Sequence, residues 1–280
     1  MKILITGSKG QLAKEILAQA EIRKDEVLAY DRADLNISDF KAVSLVVAEA
    51  APGVIINCAA YNDVDGAESN WEDAFVTNGI GVKNLAIASE NSGAVLVHFS
   101  TDYVFNGRSA RPYTIADLPD PVSSYGQSKL MGEELLAEHS KNYYLIRTSW
   151  VFGTGVNSFP SKLLGWASGK KELRIVDDQV ASPTYAADLA EATLKLIDTG
   201  SQGLYHVTNT GQCSRYEWAA YILKIMGWDG VLKHANSSEF QLPAERPAYS
   251  VLDNFPLART IGAEMPPWKD ATDRFLKAME

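Results

Sequence analysis

Along the first 150 residues, short apolar runs alternate with helix-like stretches, and the runs are apolar at successive positions rather than at every second one. Residues 3–5, 26–30, 54–57, 94–99 and 143–147 read this way. A strand turns successive side chains to opposite faces, so an unbroken apolar run fits a strand covered on both sides, as in a parallel sheet under helices. Helix-like composition and spacing fill residues 10–20, 38–49, 71–91 and 124–140. The alternation predicts an α/β fold: a Rossmann-type, doubly wound parallel sheet.

After residue 150 the pattern loosens. Residues 153–160 read as a loop running into a helix, Pro183 opens another segment, and residues 203–208 read as a strand. Helices are expected over 214–226 and 255–261, and Pro266-Pro267 starts a last one reaching Met279, with proline tolerated in its first turn. No repeat, low-complexity tract or flexible linker separates the halves. The expected organisation is a dinucleotide-binding core over 1–150 and a smaller α/β substrate lobe over 151–280, packed on the core and returning segments to it.

Composition narrows the partners. A chain of 280 residues, 46% hydrophobic, can bury a core without disulfides. Cys58 and Cys213 lack any Cys-x-x-Cys spacing, which fits a reducing, cytoplasmic setting and predicts no metal site. Met1 leads straight into the first apolar run without the basic-then-apolar pattern of a leader, and no run reaches the roughly 20 apolar residues of a membrane span. A net charge of −9 argues against nucleic acid or an anionic membrane as partner. It leaves room for a small anionic ligand held by local donors.

Ile5-Thr6-Gly7-Ser8-Lys9-Gly10-Gln11-Leu12-Ala13 lies between the first expected strand and helix. Gly7 permits a sharp turn, Gly10 close approach of backbone to a phosphate, and Ala13 tight helix–strand packing; the helix start adds N–H donors. Asp31 ends the second strand, where a carboxylate accepts from ribose hydroxyls and favours NAD; Arg32 beside it suits a 2′-phosphate and favours NADP. NADPH and NADH are both expected as cofactors.

In Tyr125-Gly126-Gln127-Ser128-Lys129 the spacing puts Tyr125 and Lys129 on one helix face. A nearby ammonium favours the phenolate, lowers the tyrosine pKa and fits Tyr125 to protonate a carbonyl oxygen that receives hydride. Thr101, at the carboxyl edge of the fourth strand, can hold the same oxygen.

These segments, with Asn57-Cys58-Ala59-Ala60-Tyr61, Val64-Asp65-Gly66-Ala67-Glu68, Ser100-Thr101-Asp102-Tyr103-Val104-Phe105-Asn106-Gly107, Arg147-Thr148-Ser149-Trp150-Val151-Phe152-Gly153, Asp178-Gln179, Ser182-Pro183-Thr184 and Arg246-Pro247, resemble the extended short-chain dehydrogenase/reductases over nearly the whole chain. Within them the likeness is to the dTDP-4-dehydrorhamnose reductases. The resemblance implies a catalytic set of Thr101, Tyr125 and Lys129 reducing the C4 ketone of dTDP-4-dehydro-L-rhamnose. It implies cofactor contacts from Gly7, Gly10, Gln11 and Leu12, from Asp31, Arg32, Asp34 and Leu35, from Ala59, Ala60 and Tyr61, and from Tyr125 and Lys129. Val64, Asp102, Tyr103 and Trp150, with Thr101, fall to the substrate; Trp150 independently suits the apolar face of a sugar. Asn157 and Arg246 are candidates for its nucleotide diphosphate, since a buried diphosphate needs local donors.

Ala13, Asn62, Asp63 and Asn106 depart from the usual family pattern. Some members use Mg²⁺ at a dimer contact, for which Glu15 and Glu191 are conceivable ligands, but two helix glutamates are ordinarily solvated charges. A homodimer is a further expectation. Two other readings share the superfamily: an NADP-binding regulatory subunit, which has no need of the three catalytic residues together, and an epimerase or dehydratase. A dehydratase carries an acid after the catalytic threonine, as Asp102 is here, but follows it with a glutamate where this chain has Tyr103.

Overall fold

Ile3 and Ile5 point to one face of the first strand and Leu4 to the other, and all three are fully buried. That alternation repeats across the sheet and creates its two cores. In the computed structural model, which describes residues 1–155 and 158–279, β1 (Lys2–Thr6) pairs with β2 (Glu26–Tyr30) and β3 (Val54–Asn57). Beyond β3 come β4 (Val95–Thr101), β5 (Tyr143–Thr148) and the strand Gly203–His206. Every pairing is parallel, and among the described residues these six strands form one sheet in the order β2-β1-β3-β4-β5-(Gly203–His206). The winding reverses between β1 and β3. A crevice outside the carboxyl ends of strands at such a reversal is where doubly wound folds bind ligands.

Helices α1 (Gln11–Ile22) and Ala186–Thr199 cover one face; α2 (Phe40–Ala50), Gly81–Ser92 and Ser124–His139 cover the other. Burying both faces explains the unbroken apolar runs. β2 is the exception: it is an edge strand with Glu26 and Ala29 exposed, because it has a neighbour on one side only.

The helix expected over 71–91 is broken into Trp71–Phe75, a π-turn at Val76–Ile80 and Gly81–Ser92. The π-turn lies hard against the Ser124–His139 helix, where a Cβ on Gly132 would stand 2.2 Å from the Asn78 carbonyl oxygen. Such bulges re-aim side chains, here that of Asn78. The last helix, Trp268–Ala278, begins after both prolines, with Pro267 as its extended N-cap.

In the second half, Val231–Ala235 pairs in parallel with Glu172–Val176, a pairing the sequence reading lacks. Phe152, Trp218, Trp268 and Phe275 centre a separate core there. Two segments of this half belong to the first: Gly203–His206 extends the central sheet and Ala186–Thr199 packs on it.

Candidate active site

At the carboxyl end of β1 the chain turns on Gly7, whose φ of 68° belongs to the left-handed region. A Cβ there would lie 2.6 Å from the Ala59 nitrogen, so a side chain is excluded by the loop after β3 as well as by the backbone. Gly10 donates its N–H to the Gly7 carbonyl (2.9 Å) and is the N-cap of α1, with no side chain capping the helix. The first-turn N–H groups of α1 are thus available to an anion. Ala13 is fully buried against the sheet, the packing role expected of a third small residue.

Asp31 is not free to meet a ligand alone. Its carboxylate pairs with Lys9 and accepts from the N–H groups of Ala33 (2.6 Å) and Asp34 (3.2 Å). The Lys9 ammonium, then these N–H groups, hold it below the usual carboxylate range. Arg32 and Asp34 are exposed, while the Leu35 side chain turns into the core beneath the sheet. Lys9 was not singled out by the sequence; its place inside the glycine turn is the signal that points to it.

The catalytic candidates converge at the ends of β4 and the Ser124–His139 helix. Ser123 caps that helix by accepting from the Gly126 N–H (3.2 Å), and Glu68 holds Ser124 through its N–H (2.8 Å) and hydroxyl (2.9 Å). Gly126 is obligatory: a Cβ would lie 2.3 Å from the Tyr103 carbonyl oxygen. Tyr125 and Lys129 then line the same cleft. Lys129 Nζ donates to the Phe99 carbonyl (2.6 Å) and stands 3.5 Å from His98 Nε2, deep under the sheet edge. Burial pushes this ammonium down to about 8, against the opposing pull of Glu133.

The expected depression of Tyr125 by Lys129 is corrected. Burial, reinforced by the Asp102 carboxylate, pushes the tyrosine hydroxyl above its ordinary range, and a hydrogen bond with Thr101 opposes the shift. Thr101 in turn donates to Asp102 Oδ1 (3.0 Å), and Ser250 donates to Asp102 Oδ2 (2.5 Å). Burial pushes Asp102 up to about 6 in spite of both bonds. Ser250 was not anticipated, and nothing in the sequence marks it.

Asn78 also went unmarked. Its carboxamide accepts from the Tyr61 N–H (2.8 Å) and donates to the Tyr61 carbonyl (3.0 Å) and to Ser128 Oγ (2.9 Å). It therefore ties the loop bearing Ala59, Ala60 and Tyr61 to the helix turn that carries Lys129.

At the far end of the cleft Trp150 holds a φ of 43°, unusual for a large side chain, and the Arg215 guanidinium lies 3.5 Å above its ring. Val64, Tyr103 and Arg246 line this end as well. Tyr103 packs edge-on against Tyr125 with ring centres 5.8 Å apart, and Arg246 pairs with Asp65 at 2.6 Å. Asn157 lies outside the described residues. Glu15 and Glu191 lie on facing helices away from the cleft; Glu191 pairs with Lys195 at 2.7 Å. No group of three or more His, Cys, Asp or Glu side chains gathers in metal-binding fashion among the described residues.

The cleft runs from Lys9 and Gly10 to Trp150 and Arg246 and encloses about 1400 Å³. That exceeds the roughly 300–1000 Å³ usual for one small ligand. On its floor the buried hydroxyls of Ser100 and Thr148 lack a hydrogen-bond partner among the described residues. An open helix start, a glycine cradle that a Cβ would fill and orphaned hydroxyls fit a dinucleotide cofactor beside a second polar ligand.

Comparison with known proteins agrees with this geometry. The family model described as the RmlD substrate binding domain matches residues 1–280. The spore coat polysaccharide biosynthesis protein SpsK of Bacillus subtilis is 40% identical, with 99% of this chain and 97% of that protein covered. A dTDP-4-dehydrorhamnose reductase from Clostridium acetobutylicum superposes with a TM-score of 0.97 at 39% identity, covering 100% of this chain and 99% of that one. The Bacillus anthracis dTDP-4-dehydrorhamnose reductase, solved in complex with NADP, gives 0.95 at 37% identity, covering 99% of each chain. The chain belongs to the RmlD substrate-binding-domain family, that of the dTDP-4-dehydrorhamnose reductases, within the extended short-chain dehydrogenase/reductases.

Proposed function

We propose that the protein reduces the C4 ketone of dTDP-4-dehydro-L-rhamnose to dTDP-L-rhamnose, with NADPH or NADH as the electron source. The observation that carries this reading is the single cleft in which Thr101, Tyr125 and Lys129 stand between an open helix start and an aromatic, arginine-bearing far end. Its relatives in the two solved structures are reductases of this name.

When bound, the reduced nicotinamide supplies a hydride. Gly7 and Gly10 shape the turn, and the first-turn N–H groups of Gln11 and Leu12 hold the pyrophosphate. Asp31 with Lys9 receives the adenosine ribose, and Arg32, with Asp34 beside it, borders the position of a 2′-phosphate. Ala59, Ala60 and Tyr61 border the nicotinamide side, and Lys129 holds its ribose.

Tyr125 keeps its proton at neutral pH because burial and Asp102 disfavour the phenolate. It gives that proton to the ketone oxygen as charge develops there. The Thr101 hydroxyl, now directed at Asp102, turns to steady the same oxygen. A charged Lys129 favours the phenolate left behind. Trp150, Val64 and Tyr103 confine the sugar, and the lobe over 151–280, apart from the segments returned to the core, forms the sugar-nucleotide side.

The test is to follow NADPH and NADH oxidation with dTDP-4-dehydro-L-rhamnose and with other 4-ketosugar nucleotides. Oxidation dependent on the first, with dTDP-L-rhamnose formed in equal amount, is expected. Binding of cofactor without oxidation by any ketosugar would transfer the protein to the regulatory reading. Sugar conversion with no external reductant would mark an epimerase.

A further inference from the structure

Two arginines reach the far end of the cleft, and they differ in what answers their charge. Arg246 donates to Asp65 (2.6 Å) and to the Ala244 carbonyl (3.0 Å), while Asp65 also accepts from the Ala244 N–H (3.2 Å). This knot fixes the Arg246-Pro247 loop and neutralises the guanidinium. Arg215 has no carboxylate and no hydrogen-bond acceptor among the described residues. A half-buried guanidinium on the cleft wall with no ion pair adds little to the fold and leaves its donors open to a ligand.

Its position is nevertheless fixed. Ser214 accepts from the Glu217 N–H (3.0 Å) and Glu217 accepts from the Ser214 N–H (2.7 Å), a capping box that sets the first turn of the helix Arg215–Ile225. The guanidinium carbon lies 3.5 Å above the Trp150 ring and 4.9 Å from the Phe159 ring centre. Stacking occupies a guanidinium face and leaves the N–H groups in its plane free to donate. Burial pushes Arg215 down to about 10, so it stays a cation at neutral pH. The Asp102 carboxylate influences it electrostatically but makes no ion pair with it.

We infer that Arg215, stacked on Trp150, anchors the diphosphate of the sugar nucleotide, and that Arg246 serves chiefly to hold its loop to Asp65. The inference rests on the reductase reading above and adds to it the donor for the substrate's charge. It also sets the role of Trp150: one face carries the cation, so the tryptophan aligns the diphosphate anchor while its remaining surface confines the sugar.

Calorimetric titration of the full chain with dTDP and with NADPH tests this. Arg215→Met is expected to weaken dTDP about 30-fold or more, as loss of charge-assisted bonds does, with NADPH affinity unchanged. Its Tm should stay close to that of the wild type, because Arg215 is half-buried with no ion pair to lose and methionine keeps packing on Trp150; Arg246→Met should lower Tm by stranding Asp65. Arg215→Lys keeps the charge and loses the planar fork, so it should fall several-fold short of the wild type for dTDP. It decides the matter if the Met variant does not fold. Unchanged dTDP affinity in the variant that folds overturns the inference, as does an equal loss for NADPH, which would put Arg215 on the cofactor's pyrophosphate. A wild-type protein that binds NADPH but no dTDP overturns the reductase reading itself, and this assignment with it.

Discussion

On the proposed reading, the two ends of the cleft recognise charge by different means. For the cofactor's pyrophosphate the work falls to the backbone: a left-handed Gly7, an uncapped α1 and N–H groups within a few residues of one another. At the sugar end it falls to side chains brought from far apart. The Asp65–Arg246 pair spans 181 positions and the Ser250–Asp102 bond 148. A backbone site tolerates almost any side chain except where a Cβ collides, whereas a side-chain site changes with each substitution. On that reading, substitutions at the sugar end should alter substrate choice more than cofactor binding.

The largest expected effect lies where the two ends meet. Tyr125→Phe removes the proton donor and should lower kcat by about a hundredfold to ten-thousandfold, the range of lost general acid catalysis, with cofactor affinity kept. Stopped-flow turnover alongside cofactor titration checks this, and near-normal kcat would place the proton source elsewhere.

Next in size is a contrast in titration. Asp102, at the sugar end, is pushed up by burial to about 6 from an ordinary 3.8. Between those values the unfolded chain has released the proton that the folded one keeps, so stability falls as pH rises through this window. Above it the loss is complete, about 3 kcal/mol. Asp102→Asn should accordingly gain on the wild type by up to that amount between pH 4 and pH 7, read as the difference in Tm. A pH-independent difference would mean that the carboxyl titrates normally. Asp31, at the cofactor end, is held low by Lys9, so its contribution has the opposite sign: present above pH 4 and lost as pH falls.

Smaller again is Gly7→Ala. With φ at 68° and Ala59 backbone in the way, it should cost about 1–3 kcal/mol and weaken NADPH along with Tm, while leaving dTDP affinity nearly intact. Equal weakening of both ligands would dissolve the distinction between the ends.

The same distinction explains what could be read without coordinates. Gly7, Gly10 and the Tyr125–Lys129 pair are local patterns: a turn, a helix start, an i,i+4 spacing. The unbroken apolar runs signalled covered parallel strands, but not the edge position of β2 or the pairing of Val231–Ala235 with Glu172–Val176. Arg215 was invisible because its meaning depends on Trp150, a contact made by tertiary packing. Ser214 and Glu217 do spell a capping box and so mark the helix start, but not what its first residue faces. Asn78 sat inside an apparently continuous helix, where no residue pattern announces a π-turn. Tyr125 shows the limit of motif chemistry: the spacing predicted a tyrosine lowered by lysine, whereas burial and Asp102 raise it.

On the proposed reading one cleft joins a nicotinamide to a nucleotide-linked ketosugar for net reduction. Incubating the protein with dTDP-4-dehydro-L-rhamnose and NADPH fully deuterated at C4 of the nicotinamide tests it most directly. One deuterium at C4 of the product sugar is expected for each NADPH consumed. Product without deuterium, or bound dTDP and NADPH with no transfer between them, would contradict it.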